Sequence, residues 1–207
     1  MSTDAILMFG AGGHAAVVLD AFLLAGGDAS GLFLCDDDMA KHGLALMGRT
    51  IGPLPGGRIE GRGFHVAIGA NAAREAAFQC LLAAGAVPHS IIHPRAVVSP
   101  HASVADGAFI AALALLAPFC SVGEGVIINH AAIVDHDCMI APFSHVGPGA
   151  SLAGGVRVGH GVLIGAGARI LPGVDIGDRA RIGAGAVVRS NVEAGALHVG
   201  VPARKVG

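Results

Sequence analysis

Between Ile128 and Cys138 the chain reads Ile-Asn-His-Ala-Ala-Ile-Val-Asp-His-Asp-Cys, which sets His136 between two carboxylates, Asp135 and Asp137. A carboxylate beside an imidazole orients the ring and raises its basicity, as a general base working near neutral pH requires. Asp137 or Asp135 can supply that partner. The plain alternative is a polar outer face whose charges interact weakly through water. Asn129 and His130 belong to the same segment, and His145 follows in Phe-Ser-His-Val-Gly.

A second chemical segment is Gly10-Ala11-Gly12-Gly13-His14. Backbone N–H groups that open a helix favour an anion such as a diphosphate. As a dinucleotide fingerprint the segment is weak, because Ala15 stands where the third glycine belongs. A tight strand-to-helix turn explains it as well. Asp36-Asp37-Asp38 offers acceptors for a base or ribose edge, or forms a solvated turn.

These groups need elements to hold them. Ala5 to Phe9 is a short apolar strand, Ala15 to Leu24 has helical spacing, and Gly26-Gly27 stops it. Leu32 to Cys35 and Phe64 to Ile68 read as strands, and Asn71 is placed to cap a helix through Ala84 that closes at Gly85. A short strand or hairpin is expected within the glycine- and proline-rich stretch from Lys41 to Arg62. Residues 1–90 thus read as a small Rossmann-like α/β domain.

From Ile92 to Val188 the pattern changes: an aliphatic residue recurs at every sixth position, and four residues after each the side chain is Ala, Ser, Cys or Val. A helix cannot satisfy this period, since six residues turn its face by about 600°, an offset of about 240° each time. Short strands joined by sharp corners can, because residues two apart share a strand face. Three such faces close a triangular coil, and stacked coils bury a column of Val, Ile and Ala. Residues 91–207 therefore read as a parallel β-helix. His130, His136 and His160 fall at corners, His145 faces outward, and Cys138 points inward.

Composition limits the rest. The net charge is −2, with 14% charged residues, which argues against a general nucleic-acid binder. No apolar run approaches the ~20 residues of a membrane span. The N-terminus lacks the basic region of a signal peptide, so a cytoplasmic protein is expected. Cys35, Cys80, Cys120 and Cys138 form no CxxC pair or ligand cluster, so disulfides and structural zinc have little support. Residues 151–207 carry seven basic side chains, Arg179 and Arg181 among them, against three acidic ones. They could hold the phosphates of a ligand or simply face solvent.

The combination of Gly-Ala-Gly-Gly-His, Asp36-Asp37, Ile-Gly-Ala-Asn at Ile68 to Asn71, Val-Asp-His-Asp-Cys, Phe143 to Ala150 and Gly-Val-Pro-Ala-Arg near the C-terminus resembles the bacterial nucleotide-sugar N-acetyltransferases. These belong to the hexapeptide-repeat group that includes the sialic-acid O-acetyltransferases, and they use acetyl-CoA. The resemblance spans nearly the whole chain. It implies a left-handed β-helix, a homotrimer, a nucleotide-linked amino sugar as acceptor, and no metal. Carried over by position, it makes His136 the catalytic base and Asp137 its acidic partner, where many relatives have Glu. It assigns His145, Ala166 and Ala184 to acetyl-CoA. It assigns Gly12, Gly13, His14, Asp36, Asp37, Gly69 and Asn129 to the nucleotide sugar.

The expected reaction is direct transfer of acetyl to the sugar 4-amino group, without an acyl-enzyme. Three rivals stay open: O-acetylation of a sugar hydroxyl, a three-histidine metal enzyme of the γ-carbonic-anhydrase kind, and a non-catalytic nucleotide-sugar-binding module.

Overall fold

The computed structural model describes residues 6–56 and 59–206. The opening apolar run forms β1 (Ile6–Phe9), and the expected first residue, Ala5, lies outside the described residues. Gly10 turns the chain at φ +105°, where a Cβ would stand 2.8 Å from Ile68 Cγ1. The chain then enters α1 (Gly13–Leu24), β2 (Phe33–Cys35) and a hairpin of β3 (Ala45–Leu46) and β4 (Arg49–Thr50). β5 (Gly63–Val66), α2 (Asn71–Ala83) and β6 (Val87–Pro88) follow. Four of these strands make a parallel sheet in the order β2-β1-β5-β6. The hairpin falls inside the stretch where one was expected, of which Gly57 and Arg58 lie outside the described residues.

One local expectation is corrected. Asn71 is the first helical residue of α2, not its cap; Ala70 holds the cap position and no side chain caps the helix. The Asn71 amide has a different use: Nδ2 donates to the carbonyls of Gly161 and Val162, both at 3.0 Å.

From Ile91 to Val188 the chain winds into strands of two residues, paired in parallel with the strand eighteen residues on until the last coil, as Phe109 with Ile127 and Ile127 with His145. Three parallel sheets result. The first runs from Ile91–Ile92 through His145–Val146 to Arg181–Ile182, the second from Val97–Val98 to Val187–Val188, the third from Ser103–Val104 to Asp175–Ile176. The inward column is closed, with Ile128, Val134, Ile140 and Val146 all buried. Ile92 departs from it at 39% exposure, and Val98 and Val104 are half-buried, because no earlier coil stacks on the first one. An antiparallel pair, Leu197–Val199 with Arg204–Val206, finishes the other end.

The corners are sharp because every sixth residue from Gly107 to Gly185 is left-handed. Glycine takes that conformation without steric cost. Asp137 occupies it at φ +59°, as do Leu113, Phe119, Ala131, Phe143 and Arg179. Short polar Asp tolerates it better than most residues, and the Asp137 N–H is satisfied by the carbonyl of Pro118 on the preceding coil.

The α/β domain covers the outer face of the first sheet. Ile91, Phe109 and Ile127 point out of the β-helix and are nonetheless buried, packed with Ala15, Val18, Leu19 and Phe22 of α1. Phe143, from a corner, stacks edge-on against Phe78 of α2 at 5.3 Å. Val97, Leu115 and Ile133, the matching outward residues of the second sheet, are exposed.

Candidate active site

The hub of the domain junction is a residue that sequence reasoning missed. Arg74 is 1% exposed and faces the junction along with Phe78 and Leu81, the other buried residues of α2. Its Nε donates to Gly125 O at 2.7 Å, Nη1 to the carbonyls of Ile68 and Gly69, and Nη2 to Asn71 Oδ1 and Phe143 O at 2.9 and 2.8 Å. Burial lowers its pKa to about 10, so it stays a cation at neutral pH. It ties the loop after β5 to the corner of the β-helix that precedes His145.

From Gly69 a chain of polar contacts leads across the junction. His145 Nδ1 lies 3.4 Å from Gly69 O, and its Nε2 lies 3.0 Å from Asn129 Nδ2. A carbonyl accepts and an amide nitrogen donates, so the ring is neutral with its proton on Nδ1. Asn129 Oδ1 in turn accepts from the backbone N–H of His130 at 2.8 Å. Burial and the Arg74 cation hold the His145 pKa down at about 4. His14 packs edge-on against Phe109 at 5.5 Å, with its ring centroid 6.3 Å from that of His145. Its pKa falls to about 3, from burial first and then from His145, His65 and Arg74. His14 Nε2 is buried and has no hydrogen-bond partner among the described residues.

The nucleotide-facing candidates divide in two. Gly12 and Gly13 are exposed with open space where a Cβ would stand, and the first turn of α1 carries no capping side chain. That is an open, anion-favouring helix terminus. Asp36 is already committed to the fold: its carboxylate accepts from Ala11 N at 2.7 Å, Asp38 N at 2.9 Å and Lys41 Nζ at 2.9 Å. Burial opposes its charge, yet Lys41 and the two N–H groups outweigh burial and hold its pKa below the usual carboxylate range. Asp36 thus fixes the shape of the glycine loop, and Asp37 is the exposed acid beside it.

His136 stands apart from this cluster. It sits at the corner between the second and third sheets, the edge of the prism opposite the first-sheet face that carries the α/β domain. Its Nδ1 is 2.7 Å from Asp137 Oδ2, while Asp135 Oδ1 accepts from the backbone N–H of His136 at 2.7 Å. Of the two acids, Asp137 therefore engages the ring. That bond first, then the Asp135 charge, raises the His136 pKa. The side chain is 59% exposed, which leaves the ring open to a partner from outside. Ala166 and Ala184 are exposed on another edge, between the first and second sheets, in the same column as Asn129 and His130 and flanked by glycines. An extended ligand can lie along so flat an edge.

Two further features bear on chemistry. Cys138 points inward at 0% exposure, its thiol donates to Ala153 O at 3.2 Å, and burial raises its pKa, so it is unsuited to act as a nucleophile. His130, His136 and His160 occupy three different corners and His145 a face. Among the described residues no three side chains converge as metal ligands. Arg179 and Arg181, from the basic C-terminal stretch, line a cleft of about 570 Å³ with Asn71 and Glu75 beneath the start of α2.

A triangular β-helix of stacked six-residue sides is the architecture of the hexapeptide-repeat acyltransferases. Residues 5–81 match the PglD N-terminal domain family and residues 155–190 the bacterial transferase hexapeptide (six repeats) family. Perosamine N-acetyltransferase from Caulobacter crescentus, solved with CoA and GDP-perosamine as a His-to-Asn variant, is 32% identical, with a TM-score of 0.91 over 98% of this chain and 97% of that one. The acetyltransferase domain of PglB from Neisseria gonorrhoeae, in complex with acetyl coenzyme A, is also 32% identical, with a TM-score of 0.90 over 97% of this chain and 98% of its own. WeeI from Acinetobacter baumannii, 24% identical over 97% of this chain and 99% of its own, shares the fold at a TM-score of 0.88. The chain belongs to the family of hexapeptide-repeat acetyltransferases with a PglD-type N-terminal domain, and its β-helix is left-handed.

Proposed function

We propose that the protein transfers an acetyl group from acetyl-CoA to the 4-amino group of a nucleotide-linked amino sugar, at a site shared between two subunits of a homotrimer. The observation that carries this reading is the His136–Asp137 pair, bonded at 2.7 Å and open to solvent. Asp137 accepts a hydrogen bond from Nδ1–H, so the Nε2 lone pair faces outward as a base. The sugar amine attacks the thioester carbonyl, Nε2 takes the amine proton, and the C–S bond breaks as the tetrahedral intermediate collapses. The CoA thiolate leaves and recovers the proton from His136. Backbone N–H groups of the β-helix steady the oxyanion.

Within one chain the base and the His14–His145–Asn129 cluster lie on opposite sides of the prism. Association of protomers through the exposed apolar stripe of Val97, Leu115 and Ile133 brings one chain's His136 edge to its neighbour's cluster. The relatives solved with CoA and GDP-perosamine support the two ligand classes. In this arrangement Gly12, Gly13, His14, Asp37, Gly69 and Asn129 face the nucleotide sugar, with Asp36 shaping their loop. His145, Ala166 and Ala184 face acetyl-CoA.

The test is thiol release from acetyl-CoA with UDP-, GDP- and dTDP-linked 4-amino sugars, beside the matching hydroxy sugars. N-acetylation of an amino sugar, lost on His136→Ala with the fold intact, is the expected result. Turnover on hydroxy sugars alone would move the protein to O-acetylation, and undiminished kcat in His136→Ala would overturn the base assignment.

A further inference from the structure

The corner that carries His136 repeats every eighteen residues, and its column reads Pro100, Pro118, His136, Gly154, Pro172, Ser190. The glycine falls on the coil next to the histidine, and the reason is steric. A Cβ at Gly154 would stand 2.5 Å from Cε1, 2.6 Å from Nε2 and 3.2 Å from Nδ1 of His136. The ring thus lies against the Gly154 backbone. Gly154 lies outside the left-handed region; Gly155, at φ +71°, supplies the turn there. The backbone bonds between the coils, Gly155 N to His136 O at 2.9 Å and Gly173 N to Gly154 O at 3.0 Å, do not depend on a missing Cβ. Neither the turn nor the ladder demands glycine at 154.

We propose that Gly154 is a positioning residue for His136: its bare backbone is the seat on which the ring rests with Nδ1 on Asp137 and Nε2 turned to the incoming amine. This rests on reading His136 as the base. An added methyl forces the ring back by about 1 Å to regain ordinary contact. The His136 side chain is exposed and free to swing, so the fold absorbs the change while the bond to Asp137 does not survive it. Proton transfer is sensitive to that displacement, since about 1 Å of misplacement can cost on the order of 100-fold.

The experiment is Gly154→Ala in the full-length protein, with steady-state kinetics and an NMR titration of the His136 ring, its signal assigned by its loss in His136→Ala. The expected result is a fall in kcat of between about 10- and 100-fold, KM for acetyl-CoA within about twofold, and an unchanged unfolding midpoint. The ring's titration midpoint should drop toward that of an ordinary imidazole. In a His136→Ala background the same substitution should leave the residual rate untouched, as a double-mutant cycle requires. An unchanged titration with unchanged kcat overturns the seat. A lowered titration midpoint with unchanged kcat upholds the seat and overturns the base assignment, so the two ideas fail separately.

Discussion

Replacing Arg74 by Met tests whether the junction is held by this side chain. The guanidinium is the donor to the buried carbonyls of Gly125 and Phe143, besides its bonds to Ile68, Gly69 and Asn71. A buried acceptor left without a donor costs about 1–3 kcal/mol. Two such carbonyls set a loss of about 2–6 kcal/mol, reduced because an expensive buried cation disappears with its bonds. We expect a net loss of about 3 kcal/mol, and a smaller one for Arg74→Lys, whose ammonium lacks the planar fork. Urea unfolding at fixed protein concentration reads this as a lower midpoint at constant m-value. The His145 ring supplies a second readout: without the cation beside it, its titration midpoint should rise from about 4. An Arg74→Met protein with wild-type midpoint and wild-type His145 titration would refute the reasoning.

Asp137→Asn should lower kcat about 10- to 100-fold and shift the acid limb of the kcat/KM profile to lower pH. The sign follows because Asp137 raises the His136 pKa and the base works only deprotonated; an unmoved limb contradicts the pairing. Acid should destabilise the protein well above the carboxylate range. His14, His65 and His145 have folded-state pKa values near 3, 4 and 4, so their unfolded forms bind protons first. Stability is then lost as pH falls from about 6.5 toward about 4, and a Tm that stays flat over that range would count against neutral burial of these rings. Cys138→Ser should keep the inward hydrogen bond to Ala153 O and retain most activity; inactivation of a folded Ser variant would reopen a thiol mechanism.

The β-helix was legible because its period of six is incompatible with a helix and each inward residue could be placed by counting. The face that carries the α/β domain was legible only in part: Ile91, Phe109 and Ile127 are large and apolar at outward positions, which separates the first sheet from the third, with Ser103, Ser121, Met139 and Arg157, but not from the second, with Val97, Leu115 and Ile133. Arg74 was hidden because a lone arginine on a helix reads as solvated. Its signal was the spacing with Phe78 and Leu81, which sets it on the apolar stripe of α2. Asn71 looked like a cap from type alone, and the structure spends its amide on the β-helix instead. The residue pattern left Asp135 and Asp137 both open as partners for His136, and only the family resemblance favoured Asp137. The left-handed corner at Asp137 separates them, by folding that carboxylate onto the ring.

The central claim is that a base on one chain serves a cluster on another, and hybrid trimers test it most directly. His136→Ala and His145→Ala proteins, each inactive alone, are co-refolded in equal amounts. A quarter of the interfaces then pair an intact His136 with an intact His145, so activity should return to about one quarter of wild type by random assortment. No recovery from verified mixed trimers would contradict the shared site.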